Sequence, residues 1–206
     1  MGKSERFWDR AASSYDREEK KDDPITVNII EKARKYLKKD DVVLDYGCGT
    51  GTIDIAFAGE VKEIHGIDTS QKMIEFAKRK SAIHSISNAY YEQASIFDES
   101  LKQESVDVIT ASNVLHLIDD LPTALARIYE LLKPDGIFIS TTPCSGEVTL
   151  LKLMLPIASK IGLVPKVKAF KHPDIEKLIA RGGFQIMESI SAYRGKPIWF
   201  IAARKT

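Results

Sequence analysis

The stretch Val42-Val43-Leu44-Asp45-Tyr46-Gly47-Cys48-Gly49-Thr50-Gly51 decides the fold. A β-branched, hydrophobic run ends in an aspartate and passes directly into three glycines at alternate positions, and from Thr52 the pattern turns helical. Glycine lacks a Cβ, so such a loop can turn sharply and approach a ligand closely. The helix that follows presents unpaired N–H groups at its start. The next strand-like run, Glu63 to Ile67, ends at Asp68, 17 residues beyond Gly51. A carboxylate at that strand tip is placed to accept both hydroxyl protons of a ribose.

Outward from this unit, strand-like and helical stretches alternate. Ala89 to Gln93, Val106 to Thr110 and Ile137 to Thr141 read as further strands. Asp23-Pro24 offers an N-cap and a first-turn proline to a helix that buries Ile29, Ile30, Ala33 and Leu37. Ser70 caps a helix with Met73, Ile74 and Ala77 inside. Pro122 opens one carrying Leu125, Ile128, Leu131 and Leu132, which stops at Lys133-Pro134-Asp135-Gly136. Phe184 to Ile190 and Ile198 to Ala203 lie too close together for a parallel crossover and should pair as an antiparallel hairpin. The expected fold is α/β: a doubly wound, mostly parallel seven-stranded sheet with a C-terminal antiparallel hairpin and helices on both faces.

Composition narrows the function. The chain of 206 residues is 44% hydrophobic and 29% charged, with a formal net charge of +1. That fits one domain, residues 1–206, and offers no basic excess to recruit a nucleic acid. Cys48 and Cys144 lie far apart, which supports neither a metal site nor a disulfide framework. No apolar stretch is uninterrupted enough to span a bilayer. A reducing cytoplasm is the expected setting, and no metal is expected.

A dinucleotide fold places its third glycine one position later than here, where residue 52 is threonine. With this spacing the sequence resembles the Rossmann-like S-adenosylmethionine-dependent methyltransferases. Val43 to Gly51 resembles the family's first motif, and Gly66-Ile67-Asp68-Thr69-Ser70-Gln71-Lys72-Met73 its ribose-binding segment. Asp107 to Leu117 is similar to the fourth-strand segment, and Leu131 to Gly136 to the turn before the fifth strand. The resemblance covers residues 7 to 142 by motif and points to the small-molecule, quinone-biosynthesis-like branch.

The resemblance implies S-adenosylmethionine as cofactor and methyl transfer to a small, partly apolar acceptor. A nicotinamide-dependent oxidoreductase and a non-catalytic S-adenosylmethionine-binding module are the alternatives. It assigns cofactor contacts to Asp45, Tyr46, Gly47, Cys48, Gly49, Gly51, Asp68, Thr69, Met73, Ser112 and Asn113. Family members often carry an acid after the third strand for the adenine amino group. Here Ala94 takes that place, with Ser95 offering a weaker polar contact and Ile96 packing on the ring. His116, just past the fourth strand, is the candidate general base. Residues 1–22, with Phe7, Trp8 and Tyr15, read as a lid that brings Tyr15, the other candidate catalytic residue, to the methionine end. Residues 143–175, with apolar Leu150 to Ile161, read as a substrate cap, or otherwise as a homodimer interface.

Overall fold

The computed structural model describes residues 3–18, 23–147 and 166–206. Seven strands form one sheet: β1 (Val42–Tyr46), β2 (Glu63–Asp68), β3 (Ala89–Gln93), β4 (Val106–Ser112), β5 (Leu132–Pro143), β6 (Phe184–Ser191) and β7 (Ile198–Lys205). Their order is β3-β2-β1-β4-β5-β7-β6. The first five pair in parallel, and β7 enters antiparallel between β5 and β6. The doubly wound sheet with its terminal hairpin is as the sequence indicates.

Successive residues of the central strands feed opposite faces, as strand geometry requires. Leu44, Ile109 and Ile201 join one core with Leu121, Leu125 and Ile128 of α5 (Leu121–Leu131) and Ile175 and Ile179 of α6 (His172–Arg181). Val43, Val108 and Phe200 join the other, with Ile29, Ile30 and Ala33 of α2 (Pro24–Arg34) and Phe57 of α3 (Thr52–Phe57). The caps hold as read. Asp23 accepts the N–H groups of Ile25 and Thr26, and Ser70 accepts that of Met73 at the head of α4 (Gln71–Ile83).

Two stretches carry detail beyond the sequence pattern. The N-terminal segment is a full helix, α1 (Lys3–Glu18), and it packs along α4. The turn at Lys133–Gly136 lies inside β5, not between helix and strand. Leu132 already pairs with Val106, the register then shifts, and Asp135 takes φ +60°. Asp tolerates that left-handed conformation better than most residues. Lys133 fixes the irregularity by binding both carboxylate oxygens of Asp107 at 2.8 Å.

Candidate active site

The strand order reverses between β1 and β4, so the ligand crevice of such a sheet lies beyond their C-terminal ends. A shallow cleft, open to solvent, sits there. Asp45 of β1 with Gly47 and Cys48 of the loop after it line the cleft, as do Ser112 at the end of β4 and Asn113 just beyond. Tyr15 of α1, Thr26 and Ile29 of α2, and Ile53 of α3 complete the wall.

The loop after β1 is held from below. Gly47 and Cys48 donate their N–H groups to the Ile67 carbonyl at 2.8 and 3.1 Å. Gly47, Gly49 and Gly51 all have positive φ, yet only one of them faces open space. A Cβ on Gly47 would stand 2.3 Å from Val114 Cγ2, and one on Gly51 2.8 Å from the Tyr91 hydroxyl. On Gly49 it would meet nothing nearer than Tyr15 Cε1 at 3.6 Å. Gly49 is therefore the one of the three with room for a Cβ. Gly47 lines the cleft and packs on Val114, while Gly49, Gly51 and Asp68 lie next to the lining and not in it.

Asp68 Oδ2 accepts the Gly49 N–H at 3.1 Å, and Oδ1 accepts the Ser70 N–H at 2.8 Å. A carboxylate offers about four lone-pair sites, so these bonds do not exhaust it and acceptor capacity is left for a hydroxyl. Burial raises the Asp68 pKa above the usual carboxylate value, with Asp9 adding to the rise, and the N–H groups of Ser70, Gly49 and Thr69 pull it back. The residues present thus fit a ribose-bearing cofactor: a strand-tip acid with spare acceptors beside a loop that a Cβ would obstruct.

Asp45 is buried, and Thr110, its partner across the β1–β4 pairing, donates its hydroxyl to Oδ1 at 2.5 Å. That bond points the carboxylate along the strand ends. Ser112 Oγ pairs with Thr141 Oγ1 at 2.7 Å, and Asn113, at φ +58°, donates its N–H to the Thr141 carbonyl at 2.9 Å. Tyr46 packs on the core, and burial, with Asp68 nearby, lifts its phenol to about 12. Burial pushes the Cys48 thiol well above its ordinary range, which leaves its backbone to serve the loop.

The sequence-predicted residues divide. Tyr15, Asp45, Gly47, Cys48, Ser112 and Asn113 meet in one cleft. Ile96, read as packing on an adenine, is instead fully buried in the core around α5. Ala94 and Met73 are closed off from solvent as well. Ser95 turns its hydroxyl to its own chain, accepting the Phe97 N–H at 3.1 Å. Thr69 gives its carbonyl to Gln93 Nε2 at 2.9 Å. His116 sits in the 3-10 turn Leu115–Leu117 and is not among the residues lining the cleft. Burial lowers its pKa to about 4, so the imidazole is neutral at physiological pH and weakly basic. Most of the expected cap, residues 148–165, lies outside the described residues.

Sequence reasoning passed over Thr110, which sets Asp45, and Gln93, whose register partner is Asp68. Thr26, Ile29 and Ile53 carry no motif that marks them as cleft residues. Their signal is positional: each lies in the first turns of a helix that begins beside the glycine loop.

Residues 37–183 match the family described as methyltransferase domain, which is most of the chain. The chain belongs to the methyltransferase domain family. Among curated relatives, this methyltransferase domain is 26% identical over 139 residues to malonyl-[acyl-carrier protein] O-methyltransferase of Serratia marcescens, covering 68% of this chain and 52% of that one. It is 34% identical over 128 residues to ubiquinone biosynthesis O-methyltransferase of Haemophilus ducreyi, covering 57% and 52%. The chain spans about half the length, or less, of these and similar curated relatives. A SAM dependent methyltransferase from Aquifex aeolicus shares the fold at TM-score 0.72 and 17% identity, with 95% and 98% of the two chains covered. A complex of the Haloferax volcanii Trm112 methyltransferase activator with a methyltransferase contains a chain that matches at TM-score 0.78 and 16% identity, with 96% and 97% covered. Among the described residues of the methyltransferase domain, no helix is long and apolar enough to cross a membrane.

Proposed function

We propose that this methyltransferase domain binds S-adenosylmethionine in the β1–β4 cleft and transfers its methyl group to a small, partly apolar acceptor. The observation that carries the reading is Asp68 held to Gly49, an acid with spare acceptors tied to the bare backbone of the loop. When bound, the cofactor supplies a methyl on a sulfonium, a good leaving group, so alignment and water exclusion are what the protein must add.

In this reading Asp68 takes the ribose hydroxyls. Asp45, oriented by Thr110, faces the methionine ammonium, and Ser112 and Asn113 line the same end. Gln93 is the better candidate than Ala94 for the adenine amino group. Its amide nitrogen is engaged by Thr69, which leaves the amide oxygen as an acceptor one strand over from Asp68. Tyr15, on α1 and against Gly49, excludes water from the methionine end as part of a lid. His116 is half-buried, outside the cleft lining and weakly basic, which favours a packing role over that of a general base.

The relatives' names point to malonyl-[acyl-carrier protein], ubiquinone biosynthesis, ribosomal protein L11 and RNA, so their names do not choose the acceptor. The balanced charge favours a small molecule over nucleic acid, and the apolar stretch Leu150 to Ile161 favours a partly apolar one. Calorimetric titration with S-adenosylmethionine and, separately, with a nicotinamide dinucleotide tests the cofactor. Heat with the dinucleotide alone overturns the proposal. Methyl-labelled cofactor incubated with fractionated cell extract tests the acceptor. Label is expected in the small-molecule fraction, and label in RNA or protein contradicts the substrate class.

A further inference from the structure

Lys80, on the third turn of α4, gathers oxygens from three other parts of the fold. Its Nζ donates to Thr50 Oγ1 at 2.8 Å and to Thr52 Oγ1 at 2.9 Å. It also lies 2.7 Å from Asp16 Oδ1 of α1, an ion pair out of hydrogen-bond alignment. Thr50 belongs to the glycine loop and Thr52 opens α3, and both are buried. The Lys80 and Asp16 side chains are only 20% and 24% exposed, so salt screens the pair less than it would a surface one. An ammonium has three donors, and its surroundings here offer three oxygens from separate elements.

Asp16 is one of two acids that anchor α1. Asp9, seven residues earlier, accepts the Ser70 hydroxyl at 2.7 Å and the Lys72 N–H at 3.2 Å, at the head of α4. An acid there is favourably placed against the helix dipole. Ala12, between them on the same face, is buried, and its small side chain lets the two helices approach. The anchors are about 10 Å apart along the helix. Tyr15, next to Asp16, is thereby held against Gly49.

We propose that Lys80 is a positioning residue that couples the docking of α1 to the conformation of the glycine loop. With Asp16 in place, the ammonium is fixed over Thr50, and the loop that carries Gly49 is fixed with it. Without Asp16 the ammonium is drawn toward solvent and the loop loses a support from behind. Coupling of this kind is reciprocal, so whatever steadies the loop also steadies the lid. The inference rests on the cofactor reading for what the loop holds, but the link between helix and loop exists without ligand.

Hydrogen–deuterium exchange on the ligand-free protein tests it, comparing the parent with Asp16→Asn, Lys80→Met, Lys80→Arg and the Asp16→Asn/Lys80→Met pair. Asp16→Asn is expected to speed exchange in α1 and, at a distance, in residues 47–52, each about fivefold. Lys80→Met should do the same, Lys80→Arg should recover part of the protection, and the pair should be no worse than Lys80→Met alone. Asp16→Asn is a mild change that spares the core, so the test stands if Lys80→Met folds poorly. Loop exchange at the parent value in Asp16→Asn, or fully additive effects in the pair, overturns the coupling. S-adenosylmethionine titration of the same variants should show Kd raised about fivefold. If the exchange changes occur but the parent gives no heat with S-adenosylmethionine, the cofactor reading fails and the coupling stands.

Discussion

Asp68 Oδ2 accepts the N–H of Gly49 at 3.1 Å, which ties the acid at the tip of β2 to the middle glycine of the β1 loop. The bond makes one rigid unit of the acid proposed to take the ribose and the middle of the glycine loop. Asp68→Ala should cost cofactor binding about 1–3 kcal/mol, the range for hydrogen bonds to a charged group. Calorimetry reads this directly, and an unchanged Kd removes Asp68 from the site. The acid must be ionised to accept hydroxyls, and burial raises its pKa. Affinity should therefore weaken as pH falls through that raised value, and Asp68→Ala should flatten the dependence.

The glycines predict a contrast within one loop. Gly47→Ala would drive a Cβ to 2.3 Å from Val114 at φ +74°, so it should fail first in stability. Gly49→Ala meets only Tyr15 at an ordinary contact distance. It carries the left-handed penalty of roughly 1–2 kcal/mol but no clash. Thermal melts should show Gly47→Ala as the less stable of the two. Titration should show Gly49→Ala folded with cofactor affinity reduced at least tenfold, and parent-like binding would make that glycine a mere turn.

The sheet was legible because each strand announced itself locally: β-branched runs for the parallel core, and a gap too short for a crossover between β6 and β7. The caps Asp23 and Ser70 were equally local, each one side chain bonding N–H groups two or three residues on. What escaped was long-range. Thr110 meets Asp45 across 65 positions of sequence, and Lys80 meets Asp16 and Thr50 through helix packing. Ile96 depends on packing in the same way. Its apolar character fits either an adenine face or a core, and only the packing of α5 over β4 selects the core.

Gln93 gives a prediction about the base. Its register partner is Asp68 and its amide nitrogen is held by the Thr69 carbonyl. Gln93→Ala should weaken S-adenosylmethionine while affecting a purine analogue without the amino group much less. A difference near 1 kcal/mol is the usual worth of one such bond. Equal losses for both ligands would show that Gln93 serves only to hold Thr69.

His116 predicts a pH dependence of stability with a definite sign. Its pKa falls from 6.5 to about 4 because burial disfavours the imidazolium. Between those values the unfolded chain binds a proton that the folded protein does not. Stability attributable to this group is therefore full above about pH 6.5 and is lost progressively as pH falls towards about 4. The whole span is worth on the order of 3 kcal/mol, at 1.36 kcal/mol per pKa unit. Urea unfolding at pH 7 and pH 5 should show the parent losing stability on acidification, and His116→Gln should lose less. The carbonyl of residue 116, which accepts the Lys168 N–H at 2.7 Å, is kept in that variant, so the local chain path is preserved. A general base would behave differently: His116→Gln would remove a limb near neutrality from the pH–rate profile. If that limb disappears and the stability slope does not change, His116 is exposed to the reaction and its burial is not what governs its charge.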